Sequence, residues 1–286
     1  AWAELTEENS SGHVSVIAAG ASKTGTKLQN MAMMGGVEGL TGVGATSFNT
    51  LYIPLQFWFC RNPGLALPLI ALQYHEVKII TTFEDEANIL TAGGSTASGS
   101  TLSAKLFADY IYLDTDERRR FAQVSHEYLI EQLQFQNSAD STSHELNFNH
   151  PVKELIWTGG VDTGTADGTV DGPSTHIPLA NTTFQLKLNG HDRFASRNTK
   201  YFTRTQVWQH HTGYGGLTCD QSDPSVADSI AVYSFALKPE EHQPSGTCNF
   251  SRIDNAQLVL GTSDALFIYA VNYNVLRIMS GMGGLA

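Results

Sequence analysis

Several histidine and acidic residues stand side by side in the sequence and are the first candidates for chemistry. His75-Glu76 and His126-Glu127 are histidine–carboxylate pairs, and His210-His211 is a histidine pair. None of them continues as HExxH, the helical spacing that places two histidines on one zinc ion. Adjacent residues of an extended chain point to opposite faces, so neighbours cannot bind one metal ion. We therefore predict that these histidines are hydrogen-bonded or solvent-exposed and bind no metal.

Motifs for cofactors and nucleophiles are weak throughout the sequence. The segment GMGGLA at 281–286 imitates the dinucleotide-binding pattern G-x-G-x-x-A, but the sequence lacks the helix that this motif must open. Its glycines are predicted to serve a tight turn or a close backbone contact. Asp162, Asp167 and Asp171 could together bind calcium, although their spacing fits no EF-hand. Without a Walker A loop or a G-x-S-x-G elbow, we expect no catalytic residues, no cofactor and no metal site.

The composition indicates a globular protein that does not bind nucleic acid directly. Of the 286 residues, 41% are hydrophobic and only 16% are charged, below the roughly 25% of typical soluble domains. A surface with few charges suggests extensive contact with partners, although large polar loops would give the same figure. The net charge of −11 disfavours binding to a phosphate backbone, which rests on many lysine and arginine contacts. No apolar run reaches the ~18 residues of a membrane span, so we expect no membrane insertion.

Cysteine and asparagine positions bear on the cellular compartment. The three cysteines are Cys60, Cys219 and Cys248. They are odd in number and form no CxxC pair, so we predict free thiols in a reduced compartment. Sequons begin at Asn9, Asn181 and Asn249, of which Asn249 lies in a strand-like run where modification is not expected. Asn9 and Asn181 are therefore the possible glycosylation sites, although no feature of the sequence supports secretory passage.

The elements of the chain are organised around the apolar stretch that begins at residue 51. Leu51–Phe59 is rich in aromatic and β-branched residues and predicts a strand that is buried on both faces. A turn leads into a short apolar connector, Leu65–Leu72, which cannot span a membrane. Polar and apolar side chains then alternate over Tyr74–Thr81, which predicts a half-buried strand. A further strand is predicted at Lys105–Asp114.

Short strands separated by turn residues recur in the second half of the chain. The predicted strands are Tyr128–Phe135, Glu145–Phe148, Glu154–Trp157, Thr183–Leu188, Ile230–Leu237, Asn249–Ile253, Gln257–Leu260 and Leu266–Ile278. Loops rich in Gly, Asp and Thr occupy 161–175 and 211–225, and residues 196–209 predict one short helix. Many short strands at this spacing predict an all-β sandwich or barrel, and eight of them suit one jelly roll.

The densest charge cluster of the chain, Asp116–Gln123, predicts a helical linker between two β domains, with a solvated helix end as the alternative. Its three arginines, Arg118–Arg120, follow two acidic residues, so ion pairing within or between subunits is favoured over nucleic-acid binding. Only three strands are predicted between 51 and 114, where a jelly roll needs eight. Residues 1–50 have the composition of a loop. A first jelly roll would therefore be incomplete.

Four segments in order along the chain resemble the major capsid proteins of large nucleocytoplasmic DNA viruses, particularly the algal-virus branch. The segments are NPGLALPLIALQYHEVKI (62–79), DYIYLDTDERRRFAQVSHEYLIEQLQ (109–134), PSGTCNFSRIDNA (244–256) and NYNVLRIMSGMGGLA (272–286). The resemblance implies an all-β protein of two consecutive jelly rolls, 1–115 and 127–286, with a linker at 116–126. It also implies that first-barrel sequence is missing and that the chain is cut at both ends. A smaller first domain completed by a partner is the alternative.

The same resemblance implies a structural role. Three copies would form a trimer of six barrels, a pseudo-hexagonal tile of an icosahedral shell assembled in the host cytoplasm. Neighbouring tiles and minor capsid proteins would be the partners, with glycans on surface loops. Candidate contacts between subunits are the apolar residues Leu65, Leu67, Leu69, Leu72, Leu276, Met279 and Met282. The alternative is that these residues are barrel core, and we predict burial for Leu69.

Two other functions remain as alternatives at this stage. A carbohydrate-binding, lectin-like jelly roll would need aromatic and polar groups that converge, for which Trp208, Tyr214 and Asp220 come closest. A cupin-type enzyme would need clustered His and Glu ligands at a spacing that the sequence does not contain. The lectin-like module is therefore the main alternative to the capsid subunit.

Overall fold

The structure is a computed structural model that describes residues 53–83, 103–159, 182–212 and 230–285. The chain divides into two compact units. Described residues of the larger unit lie mainly within 132–273, and those of the smaller unit lie within 55–131 and 274–285.

Antiparallel strands dominate the described residues. The nine strands are β1 (His126–Glu145), β2 (Pro151–Gly159), β3 (Thr183–Leu188), β4 (His191–Asp192), β5 (Arg197–Asn198), β6 (Ile230–Ser234), β7 (Cys248–Asn249), β8 (Ala256–Met279) and β9 (Met282–Leu285). They form one sheet with the order β4-β3-β8-β2-β6, in which β1 and β9 also pair with β8. Strand β2 therefore lies between β8 and β6, with Trp157 opposite both Ile268 and Ala231.

Helical segments in the described part of the chain are short. They are α1 (Trp58–Arg61), a 3-10 turn (Pro63–Leu65), α2 (Thr115–Gln123), a π-helical turn (Tyr201–Thr205), α3 (Gln206–His210) and a second 3-10 turn (Phe250–Arg252). Helix α2 is capped by Asp114, whose carboxylate accepts a hydrogen bond from the Thr115 N–H at 2.7 Å. Acidic residues in its first turn and Arg120 in its last complement the helix dipole.

The core of the larger unit is aromatic at its centre. Trp157 of β2 packs against Phe184 of β3 and against Phe202 of the π-helical turn, with ring centroids 5.3 and 5.2 Å apart. Phe184 and Phe202 also meet edge to face at 5.8 Å, the geometry that aromatic pairs prefer. All three side chains are fully buried. The π-helical turn therefore provides one of the three rings of this cluster.

Two glutamine side chains of β1 make hydrogen bonds to the backbone of the segment that follows this strand. The segment after β1 buries Leu146 and Phe148 but lies outside any strand. Gln134 donates to the Asn149 C=O at 2.7 Å and accepts from the Asn149 N–H at 3.0 Å. Gln136 bonds in the same way to the Asn147 N–H and the Glu145 C=O. Because a primary amide carries a donor and an acceptor, it can pair with a backbone as a peptide group would.

This glutamine clamp yields a stability prediction. Changing Gln134 and Gln136 together to alanine is expected to lower the free energy of unfolding by about 2 kcal/mol. Five hydrogen bonds are lost, including the one from Gln134 to the Asn272 side chain, and the partly solvated groups among the partners regain water. Asn137→Ala, on the opposite face of the same strand, is the control and should stay within about 0.5 kcal/mol of the parent. Urea denaturation of the three proteins measures both values, and equal effects would contradict the clamp.

The all-β, jelly-roll fold class predicted from the sequence is confirmed, although the described residues do not display two complete eight-stranded sandwiches. Strand β3 has the predicted bounds, and the two strands predicted between 257 and 278 are one continuous strand, β8. The helix predicted within 196–209 is present as the π-helical turn and α3. The strand predicted at Asn249–Ile253 is mostly wrong: the Asn249 side chain accepts from the Ser251 N–H and begins a 3-10 turn instead.

The strands predicted before residue 115 are wrong. Residues 53–57 are irregular and Trp58–Arg61 is a helical turn, while Tyr74–Thr81 and Lys105–Asp114 have no regular secondary structure and are largely exposed. An extended segment becomes a strand only where a neighbour takes up its backbone hydrogen bonds. Within the described residues, no strand pairs with these three segments. Cys60 and Cys248 are free thiols as predicted, and Cys219 lies outside the described residues.

Candidate functional site

Two apolar segments singled out from the sequence lie against each other in the smaller unit. The Tyr74 N–H, just after the connector, donates to the Gly281 C=O at 2.9 Å. The Gly283 N–H donates to Nδ1 of His75 at 3.3 Å. Gly283 also approaches Leu72 so closely that an added Cβ would lie 3.1 Å from its Cδ2 atom. We call the connector 65–72 together with the β8–β9 hairpin 276–285 the hairpin surface.

The seven candidate contact residues differ in exposure. Leu69, Met279 and Met282 are 48%, 53% and 59% exposed. The half-buried members are Leu65, Leu67, Leu72 and Leu276. The predicted burial of Leu69 is wrong, because the turn closed by the Ala71 N–H on the Pro68 C=O directs Pro68 and Ala71 inward and leaves Leu69 outside.

The turn of the β8–β9 hairpin explains the glycines of the terminal motif. Ser280 and Gly281 have φ of 53° and 80° and connect the paired residues Met279 and Met282. Two positive φ angles are typical of a type I′ turn, which matches the twist of a hairpin and favours glycine at its second position. The prediction that these glycines serve a tight turn is confirmed.

Replacing Gly281 with alanine is expected to destabilise the hairpin by about 1–2 kcal/mol, because an L residue is strained at this φ. The new Cβ would also meet the Tyr74 ring at 2.6 Å. Gly284→Ala is the matched control, since a Cβ there meets no atom within 4 Å. Hydrogen–deuterium exchange over 276–285 should accelerate in the first variant only. Equal exchange in both would contradict the turn assignment.

An exposed aromatic patch lies on the outer face of the larger unit. Phe135 of β1 packs against Phe267 and Tyr269 of β8, with ring centroids 5.8 and 5.0 Å apart. Phe135 is nevertheless 56% exposed, and Leu133, two residues earlier on the same strand face, is 64% exposed. We call these four residues the outer patch. In the sequence, polar and apolar residues alternate over Gln132-Leu133-Gln134-Phe135. This alternation predicts that the apolar face of the strand is buried. In the structure the glutamines of the clamp lie on the more buried face, and Leu133 and Phe135 are exposed.

A second cluster that sequence analysis missed is charged and largely buried. The His211 imidazole, at the end of α3, lies between Glu154 of β2 and Glu240 of the turn after β6. Its Nδ1 atom is 3.0 Å from a Glu240 oxygen, and its Nε2 atom is 3.1 Å from a Glu154 oxygen. Glu240 also accepts hydrogen bonds from the Thr212 N–H and hydroxyl. The carboxylates contact different ring nitrogens, so they do not form a joint metal site with the histidine.

Protonation of this cluster follows from its surroundings. Burial is the largest single influence and disfavours an imidazolium, but the hydrogen bonds and charges of Glu154 and Glu240 outweigh it, and the pKa of His211 is raised. Burial of Glu240 acts to raise the pKa of that carboxyl, yet the hydrogen bonds from Thr212 and His211 prevail and lower it. His211 is therefore the cationic centre of an ion-pair triad.

The other histidines considered as chemical candidates are hydrogen-bonded, as predicted. His126 bonds to the Phe121 C=O at 2.8 Å, and His210 bonds to the Leu237 C=O at 3.1 Å. In the part of the chain that the structure describes, no three His, Cys, Asp or Glu side chains are grouped to hold a metal ion. None of the described helices is long and apolar enough to cross a membrane.

Several predicted site residues lie outside the described residues. They are the glycosylation candidates Asn9 and Asn181, the calcium candidates Asp162, Asp167 and Asp171, and the lectin candidates Tyr214 and Asp220. The remaining lectin candidate, Trp208, is exposed on α3. Glycosylation at the two asparagines stays a prediction.

Comparison with known proteins places both halves of the chain in one family. Residues 117–284 match the family described as large eukaryotic DNA virus major capsid protein, and residues 20–114 match the major capsid protein N-terminus. The chain is 56% identical over 260 residues to the major capsid protein of Pyramimonas orientalis virus, covering 85% of this chain and 63% of that protein. It is 42% identical over 299 residues to the major capsid protein of Paramecium bursaria Chlorella virus 1, covering 82% and 66%.

The structure supports the same assignment. A chain of the quasi-atomic PBCV-1 virus capsid matches with a TM-score of 0.64 and 36% sequence identity, over 90% of this chain and 75% of that one. Antiparallel architecture and this match define a jelly-roll capsid protein. The chain belongs to the family of large eukaryotic DNA virus major capsid proteins. It spans 63% and 66% of the two viral relatives described above.

Proposed function

We propose that this chain is the main structural subunit of an icosahedral virus shell and has no enzymatic role. The observation that carries the proposal is the match of both chain segments to major capsid protein families, together with the fold match to a capsid chain. Its location would be the virion, after assembly in the host cytoplasm. The described residues offer surfaces for packing, and the chemistry of His211, Glu154 and Glu240 is that of an internal ion-pair triad.

The subunit is proposed to be a homotrimer of double jelly rolls. The first roll would lie within 1–115 and the second within 127–286, with a linker at 116–126. The boundary between the two family matches, at residues 114 and 117, supports this division, as does helix α2. Two similar barrels per subunit give a threefold assembly nearly sixfold packing, so that trimers can tile a flat facet as pseudo-hexagonal capsomers. A closed trimer requires two different, complementary patches on each subunit.

The outer patch and the hairpin surface are the proposed contacts with a second copy of this chain. Both present large apolar side chains to solvent, which is unfavourable unless a partner covers them. Partially buried neighbours hold Phe135 in place, since Phe267 and Tyr269 pack against its ring. Such preorganisation reduces the entropy lost on association. Adjacent capsomers and minor capsid proteins would contact other parts of the surface.

The viral genome is not proposed as a direct partner. With 17 basic and 28 acidic residues, the chain has a net charge of −11. Affinity for duplex DNA rises with the number of phosphates neutralised and falls steeply with salt. Binding of the purified protein to duplex DNA at physiological salt should therefore be negligible in an electrophoretic shift assay.

The experiment that tests the proposed function is the mass and shape of the full-length protein in solution. Size-exclusion chromatography with light scattering should give three times the subunit mass, and negative-stain electron microscopy should show particles of hexagonal outline. A monodisperse monomer at micromolar concentration, or a twofold particle, would contradict the trimer. Retention on immobilised glycans by the same monomer would instead support the lectin-like alternative.

A further inference from the structure

The ion-pair triad joins three separate parts of the larger unit. His211 is the first residue after α3, Glu154 lies in β2, and Glu240 lies in the turn after β6. The side chains of His211 and Glu154 are only 5% and 9% exposed, and that of Glu240 is 23% exposed. A charged group that is buried to this degree strongly destabilises the fold if its partners are removed. The triad is therefore a polar connection between the end of α3 and the sheet.

The protonation state of the His211 imidazole determines how many of the two carboxylates it can donate to. An imidazolium has two N–H donors and can serve both carboxylates, whereas a neutral imidazole has one. After loss of the proton, a ring lone pair must face one of the two carboxylates. Glu240 retains hydrogen bonds from Thr212. The Glu154 oxygen and Nε2 of His211 lie 3.1 Å apart and have no other partner among the described residues.

We propose that His211 is a pH-sensitive clasp, which holds the end of α3 on β2 while it is protonated and releases it when it becomes neutral. Release leaves the buried Glu154 carboxylate without a cation, so that water must reach it and the end of α3 must move away from β2. The clasp therefore controls the anchoring of the end of α3.

Other charged groups around the clasp are already paired. Lys153, which precedes Glu154, is bound by other groups: its Nζ donates to the Pro239 C=O at 2.7 Å and lies over the Tyr273 ring. Lys238 pairs with Glu241 at the surface at 2.8 Å. His210 bonds to the backbone of Leu237. Among the described residues, the charged groups that face the His211 ring are thus the two carboxylates, and the cluster responds mainly to the charge of that ring.

The two ends of the pH window follow from opposite shifts. The pKa of His211 is raised above its usual 6.5, so its stabilising effect is complete below about pH 6.5 and is lost as the pH rises through the higher folded value. The pKa of Glu240 is lowered below its usual 4.5, so its effect is complete above about pH 4.5 and is lost at lower pH. The clasp is closed between these limits and opens on the alkaline side.

Hydrogen–deuterium exchange of the intact protein tests the clasp. Protection from exchange is measured for residues 206–212 and 237–241 and compared with that of β3 at the same pH. It should fall by about tenfold or more between roughly pH 6 and pH 9, which is the change in protection expected from the loss of one charge-assisted hydrogen bond. In Glu240→Gln, one of the two carboxylates is neutral, so the midpoint of this loss should move to lower pH. His211→Gln should show low protection at both pH values.

The control is His191→Gln, which changes an exposed histidine of β4. It should retain the pH dependence of the parent protein. The proposal is overturned if protection in the parent is independent of pH, or if the midpoint is unchanged in Glu240→Gln. Should His211→Gln fail to fold, the parent and Glu240→Gln alone decide the question, because Glu240 is a partly exposed turn residue whose replacement preserves its shape.

Discussion

Replacing Trp157 with alanine is expected to lower the free energy of unfolding by about 3–5 kcal/mol, a large part of the 5–15 kcal/mol of a typical domain. The indole is the largest fully buried side chain among the described residues and contacts Phe184 and Phe202. Its removal leaves a cavity between β2, β3 and the π-helical turn, which rigid strands cannot close. Urea denaturation followed by circular dichroism would measure the change.

Two further variants separate packing from the mere loss of tryptophan. Trp208→Ala removes an indole that is 73% exposed on α3, and it should change stability by less than about 1 kcal/mol. Trp157→Phe should be intermediate, because the Trp157 Nε1 atom has no hydrogen-bond partner within the described residues and only volume is lost. Equal destabilisation by Trp157→Ala and Trp208→Ala would show that the aromatic cluster is not the centre of the core.

The second large effect is expected on assembly. Phe135→Asp in the full-length protein should abolish the trimer while the subunit remains folded, because the patch is exposed in the subunit but covered in the proposed contact. Burying an unpaired carboxylate against apolar surface costs several kcal/mol, which corresponds to a loss of affinity of roughly a thousandfold. Light scattering reports the mass, and circular dichroism reports the fold.

Controls for this prediction use the same change elsewhere. Leu237→Asp adds the same charge at an apolar side chain that is 72% exposed but lies outside both proposed contact surfaces, and it should leave the trimer intact. Met282→Asp tests the hairpin surface separately. A trimer that survives both Phe135→Asp and Met282→Asp would exclude these surfaces as subunit contacts and would require a different interface.

Local sequence patterns predicted the parts of the fold that depend on local chemistry. Phe184 and Leu186 alternate with polar residues, and β3 begins and ends where this alternation does. Ser280-Gly281 has the composition of a hairpin turn and forms one. Polar and apolar residues alternate equally clearly over Tyr74–Thr81, yet this segment is not a strand. A strand needs a neighbouring strand to pair with, and the pattern within one segment does not show whether such a neighbour is present.

The charged cluster could not be predicted from the sequence. Glu154, His211 and Glu240 lie in three separate segments, and no local spacing relates them. Only the register of β2 against β6, in which Glu154 lies opposite Ser234, brings the turn after β6 toward β2. His210 and His211 are adjacent in the sequence, but their two rings bond to different groups. Tertiary context, rather than the motif, assigned the role of each histidine.

The position of β2 in the sheet has a consequence for folding during synthesis on the ribosome. Both neighbours of β2 come later in the chain, and Glu154 pairs with Val271, roughly 100 residues downstream. At about 5–20 residues per second, a ribosome needs on the order of ten seconds to add that length. Throughout this interval Leu155 and Trp157 cannot pair with β8, and pairing between segments that are distant in sequence is itself slow. Newly made subunits therefore pass through a period in which chaperones have access to the future core.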